Sequence, residues 1–129
     1  MAATDNHTDT VLVSVSCQLS PDAVEALTDE GRASVAGTPA SPALSLVRAR
    51  IVEVDAGARQ EALERTLATA LDQLQRCGVT GAQGAGSDVE IRVYLSLCPS
   101  SGQAGVVLRA DMLMPWYELG AYVWVDALA

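Results

Sequence analysis

Four sets of residues have types and spacings that could do chemistry. Cys98, beside Pro99 at the end of an alternating run, has the form of a nucleophile, but a thiol needs a neighbouring base or cation to act as one. The one histidine, His7, lies in a polar N-terminal segment, lysine is absent, and all eight cations are arginine. A histidine-based triad, Schiff-base chemistry and a phosphate-loop lysine are thereby excluded, and Cys98 reads as a free thiol near a turn. Paired carboxylates can do acid–base work without histidine. Glu53 with Asp55, and Glu90 with Asp126, are such pairs, although each also reads as solvated charge at a strand edge. The glycine-rich stretch Gly81-Ala82-Gln83-Gly84-Ala85-Gly86 follows a helix and precedes a strand. Phosphate-binding loops run the other way, from strand to helix, so no phosphate cradle is expected. No catalytic residue, metal ligand or cofactor is assigned from these three sets. The fourth is Arg48, Arg50, Tyr94, Tyr122, Trp124 and Asp126, and its meaning depends on the elements that carry it.

Those elements follow from hydrophobic period. Val11, Val13, Val15, Cys17 and Leu19 alternate with Leu12, Ser14, Ser16 and Gln18 and predict a strand over 10–18. Ser20-Pro21-Asp22 opens a helix, with Ser as cap, Pro at the first helical position and an acid in the first turn; Gly31 is expected to end it. Residues 33–43, rich in small side chains and proline, read as a connector or mobile loop. A second strand is expected over 44–54. Its imperfect alternation suits a central strand covered on both faces. Leu63, Leu67, Ala70, Leu71 and Leu74 form one stripe of a helix over 58–77, with Arg59 among the surface positions and Gly78 as its left-handed terminator.

The strongest alternation, Val89 to Cys98, is expected to turn at Pro99-Ser100-Ser101-Gly102 into a partner strand over 104–109. A short helix over 110–119 follows, with Asp111 as a possible cap and Pro115 as a source of irregularity. Ala121, Val123, Val125 and Ala127 then mark a last strand over 121–127. The order from 44 onward is β-α-β-β-α-β. The predicted fold is therefore α+β, a ferredoxin-like split βαβ with an extra N-terminal β-α unit. Residues 1–9 read as a disordered tail before a single domain, 10–129. In that fold, strands 44–54 and 121–127 lie side by side. Arg48 and Arg50 would then face Tyr122, Trp124 and Asp126 on a helix-free surface, as Arg–aromatic contacts or as the centre of an interface.

Four short stretches, at both ends of the chain, carry a resemblance. Glu90-Ile91-Arg92-Val93-Tyr94, Ser101-Gly102-Gln103-Ala104-Gly105 and the helix end Leu119-Gly120-Ala121, together with the opening Leu19-Ser20-Pro21-Asp22-Ala23-Val24, resemble a group of small uncharacterised bacterial α+β domains, a domain of unknown function. The resemblance implies a fold and no activity.

Composition bounds the function. In 129 residues the formal net charge is −8 and Phe is absent. That sign argues against nucleic acid and anionic membranes. Three scattered cysteines, 17, 77 and 98, lack metal-ligand spacing and suit a reducing cytoplasm. No signal-peptide pattern or membrane-spanning run is visible. The expectation is a cytoplasmic, non-catalytic domain that binds a protein partner or itself through an open sheet face, as an immunity or accessory protein would. The alternative is a small-molecule sensor, or an enzyme using carboxylate and Tyr groups, with a pocket near loop 33–43.

Overall fold

The computed structural model describes residues 10–53, 55–79, 89–98 and 106–127. The expected tail 1–9 with His7, the glycine-rich stretch 81–86, the turn 99–102 and residues 104–105 lie outside the described residues.

The elements in chain order are β1 (Thr10–Leu19), α1 (Pro21–Glu25), α2 (Asp29–Ala33), β2 (Ala36–Thr38), β3 (Ser41–Ile51), α3 (Ala56–Arg76), β4 (Val89–Cys98), α4 (Ala110–Glu118) and β5 (Tyr122–Ala127). They form an α+β domain around one five-stranded mixed sheet of order β2-β3-β1-β4-β5. β1 pairs antiparallel with β3 on one side and with β4 on the other. β4 and β5 are parallel, and β2 is an antiparallel hairpin partner of β3.

This order corrects the expected arrangement. The strand after the first helices does not lie beside the last strand; β1 and β4 stand between them. The reason is the apolar content of β1. Val11, Val13, Val15, Cys17 and Leu19 are all buried on one face, so β1 gains most from the middle of the sheet, where neighbours on both edges and helices above exclude water from that face. The expected strand over 104–109 is also corrected, since residues 106–109 are irregular. The Gln60 side-chain amide donates to the Val107 carbonyl at 2.9 Å, and the Val107 N–H donates back to Gln60 Oε1 at 2.7 Å. Val107 thus satisfies its backbone polar groups on a helix side chain, and the second edge of β4 is left to β5.

The irregular alternation of the strand 41–51 has a local cause. Its register with β1 jumps from Val15↔Val47 to Ser16↔Ser45. Leu46 is the extra residue of a β-bulge, which brings Leu44 onto the same face as Val47, Ala49 and Ile51. The segment 33–43, expected as a mobile loop, instead contains β2 and the start of β3. The Ser41 N–H donates to Thr38 Oγ1 at 3.0 Å across the turn between them.

The first helical region is two helices. Ser20 caps α1 by accepting from the Ala23 N–H at 3.1 Å. Thr28 opens α2 and joins it to the end of α3. Its N–H donates to the Cys77 carbonyl at 3.0 Å, its hydroxyl donates to the Arg76 carbonyl at 2.7 Å, and that hydroxyl accepts from the Gly31 N–H at 3.1 Å. Gly31, expected as a helix stop, lies inside α2. A Cβ there would sit 2.4 Å from the Cys77 carbonyl oxygen, so the residue is set by close backbone approach. α3 ends as expected at Gly78, which has φ of 89°, with the Val79 N–H bonded to the Leu74 carbonyl.

The stripe Leu63, Leu67, Ala70 and Leu74 is buried, and α3 packs on the inner face of β1 and β3. Arg59 departs from its expected surface position: it is buried, and its guanidinium donates to the Glu53 carbonyl at 2.9 Å. In α4, Leu113 and Trp116 face inward, and Trp116, at 1% exposure, is the largest fully buried side chain. Asp111 is not the cap; Arg109 holds that position and its guanidinium pairs with the Asp111 carboxylate. No helix among the described residues is long and apolar enough to cross a membrane.

Two substitutions test this packing by denaturant titration. Leu67→Ala should cost about 2–5 kcal/mol, the range for emptying a buried leucine site. Gly31→Ala should cost about 1–3 kcal/mol, because the α2–α3 junction must open to admit a methyl group; a loss under about 0.5 kcal/mol would show that the junction gives way easily.

Candidate interaction face

The helices pack on the face that carries Val11, Val13, Val15 and Cys17, so alternation sends the other half of each strand to the opposite face. Register then fixes which of those side chains are neighbours. One cross-strand row runs Ser45, Ser16, Arg92, Tyr122; the next Arg48, Ser14, Tyr94, Trp124; the third Arg50, Leu12, Ser96, Asp126. The six residues Arg48, Arg50, Tyr94, Tyr122, Trp124 and Asp126 therefore share one face. The direct contact expected between the arginines and the β5 aromatics does not form. β3 and β5 are three strand spacings apart, about 14 Å, with Ser14 and Tyr94 between Arg48 and Trp124.

The geometry of this face has three parts. Tyr122 and Trp124 are 62% and 66% exposed. The Tyr94 hydroxyl donates to Asp126 Oδ2 at 3.1 Å, across from β4 to β5. Glu90 pairs with Arg92 at 2.5 Å. Arg92 is a residue that sequence reasoning passed over. It is the direct neighbour of Tyr122 across the parallel pair, and its place in the alternation with Tyr94 was the signal that could have found it. Two shallow depressions flank Tyr94. One, of about 480 Å³, is lined by Ser16, Glu90, Arg92, Tyr94, Tyr122 and Trp124. The other, of about 430 Å³, is lined by Leu12, Ser14, Arg48, Arg50 and Tyr94.

Charge on this face departs from that of the chain. Arg48, Arg50 and Arg92 stand against Glu90 and Asp126, so the face is cationic by one unit on a chain of −8. Both acids already have partners. Among the described residues, the side chains of Arg48 and Arg50 make no ion pair or hydrogen bond.

The candidate carboxylate pairs are not brought together for acid–base work. Asp55 caps α3 by accepting from the Ala58 N–H at 2.8 Å, and Glu53 contributes its backbone carbonyl to Arg59. Asp126 pairs in register with Ser96, six residues along β4 from Glu90, a separation of about 20 Å. The depression beside loop 33–43, about 320 Å³, is lined by Pro21, Val24, Val35, Thr38, Pro39 and Pro42 among others, with no titratable side chain.

The described thiols are buried. Burial, reinforced by Cys77, pushes the Cys17 thiol up to about 12. Burial and then Glu30 push Cys77 up, against the opposing pull of Arg76. Neither has the electropositive, accessible surroundings of a reactive cysteine. Comparison adds no relative: no protein-family model matches the chain, and no curated protein or solved structure matches it.

The Cys17 shift has a sign that can be checked. As pH rises above about 9, the unfolded chain loses the thiol proton while the folded chain keeps it, so folding stability falls from there up to about 12. In urea titrations at pH 7.5 and 10, the parent should lose more stability than Cys17→Ala. Equal losses would show that Cys17 does not couple to folding. In a Cys98→Ser background, Cys17 and Cys77 should react with a thiol reagent only at the rate of unfolding.

Proposed function

We propose that this chain is a protein-binding domain and that its partner docks on the open face of the sheet. The observation that carries the reading is the presence on one face of two highly exposed aromatics, Tyr122 and Trp124, and of two arginines, Arg48 and Arg50, whose side chains lack partners among the described residues. Trp, Tyr and Arg are the residue types that dominate binding hot spots. A Trp–Tyr pair left in water is costly unless something covers it. The charge pattern selects the partner: a segment with carboxylates to meet Arg48 and Arg50 and apolar side chains to fill the depression between Tyr94 and Trp124. Such a segment is repelled by the rest of this acidic chain and accepted here, which confines docking to one face. An accessory or immunity role fits a small domain whose described residues hold no assembled acid–base pair.

The test is capture of the partner on the immobilised chain, followed by titration calorimetry with parent and variants. Trp124→Ala should weaken binding by about 2 kcal/mol or more, roughly 30-fold. Arg48→Glu with Arg50→Glu should weaken it further as ionic strength falls, while Glu61→Gln on the helical side should leave it unchanged. Equal binding by parent and all three variants would overturn the open-face reading.

A further inference from the structure

β5 ends the sheet, and its outer edge differs from the opposite one. At the far end, β2 pairs only with Ser41–Ala43, so the rest of β3 is the outer strand there, and it carries the bulge at Leu46 and the charges of Arg48 and Arg50. A bulged, charged edge is a poor template for an incoming strand. β5 runs six residues, Tyr122-Val123-Trp124-Val125-Asp126-Ala127, without Lys, Pro or register shift. Among the described residues, nothing pairs with its outer N–H and C=O groups. Its helix side reaches water too, since Val125 is 43% exposed, and α4, which packs on β5, exposes Met114 and Tyr117. An apolar edge of this length is a template for strand addition.

We infer that the occupant of this edge is a second copy of the chain, with the two β5 strands antiparallel about a two-fold axis through Trp124. The inference concerns the edge rather than the open face and does not rest on the reading of that face. Its ground is the self-complementarity of the strand. A register that keeps both helical layers on one side must place even positions opposite even positions. With Trp124 opposite its own copy, Val123 meets the partner's Val125, and Tyr122 meets the partner's Asp126. Aromatic then faces aromatic, valine faces valine, and the only charge on the strand faces a hydroxyl. Shifting the axis to Val125 sets Trp124 against the partner's Asp126 and leaves Tyr122 without a counterpart. Charge favours a copy over a foreign strand of either sign. A basic strand would find one carboxylate, already bonded to Tyr94, and an acidic one would find no arginine on β5. An isologous contact of this kind closes on itself as a dimer, because both copies spend the same edge on it.

The experiment is sedimentation equilibrium of the full chain from micromolar to millimolar concentration, with circular dichroism as the fold control. The parent should sediment as a dimer. Val125→Lys, which puts like charges beside the axis at a position already open to water, should halve the mass without changing the spectrum. Arg48→Glu with Arg50→Glu should stay dimeric, which separates this contact from the open-face partner site. Registration is tested by cross-linking in a Cys98→Ser background. Trp124→Cys should form a reducible dimer under mild oxidation, since facing residues of an antiparallel pair lie within disulfide reach; Tyr122→Cys, facing Asp126, should not. A parent monomeric at millimolar concentration, a Val125→Lys variant that remains dimeric, or equal cross-linking at 122 and 124 would each overturn the inference.

Discussion

The structure depends on the one-sided burial of β1. Five alternate residues, Val11, Val13, Val15, Cys17 and Leu19, present an apolar row without a polar atom beyond one thiol. Such a row is stable only with neighbours on both edges and a helical layer above it. Placing β1 centrally settles the rest of the sheet. β3 and β4 become its two antiparallel neighbours and so run parallel to one another, which forces α3 to cross over β1 between them. β5 is then the remaining strand and is added at the outside of β4. The bulge at Leu46 follows as well, because β3 must present Leu44 and Val47 to the same core while matching β1 on either side of the shift.

A second constraint ties the N-terminal helices to that core. The last carbonyls of α3 are left without intrahelical partners, as at any helix end. Gly78 satisfies some through its left-handed turn, and Thr28 takes those of Arg76 and Cys77. One residue therefore caps two helices at once, starting α2 while ending α3. The close approach this needs is what excludes a side chain at Gly31. The junction also seals Cys77, so a thiol that sequence shows merely as free is held inert by the packing of its own helix terminus.

Much of this could be read from local pattern. The alternation of 10–18 and 89–98, the leucine stripe of α3, and the glycine terminators 78 and 120 are period and cap signals within a few residues of each other, and the structure has each of them. What local pattern could not supply was pairing. Strand order is a property of contacts far apart in the chain, and nothing within 44–54 or 121–127 says that two other strands come between them. Val106-Val107-Leu108 reads as a strand because its residues are apolar, but the backbone N–H and C=O of Val107 bond to the side chain of Gln60, a partner 47 positions away. Trp116 was missed for a related reason: the proline at 115 drew attention to irregularity, whereas the helix runs through it and the indole lies inside. The six face residues were legible as a set because alternation alone puts them on one side, while their distances apart were not.

The acidity of the chain acquires a spatial meaning once the sheet is assembled. Carboxylates gather on the helical side, where pairs such as Arg76 with Asp72 and Arg109 with Glu64 are solvent-exposed and contribute little to stability. On the open face the two acids are occupied, and Arg48 and Arg50 are left as the charges without a counterpart among the described residues. Charge and aromatic exposure coincide on the same strands because alternation gives every outward position of β3, β4 and β5 to a single plane. The arrangement can therefore be changed one residue at a time without touching the apolar row on which β1 depends. The apolar row that folds the chain and the surface proposed for docking thus lie on opposite faces of the same strands.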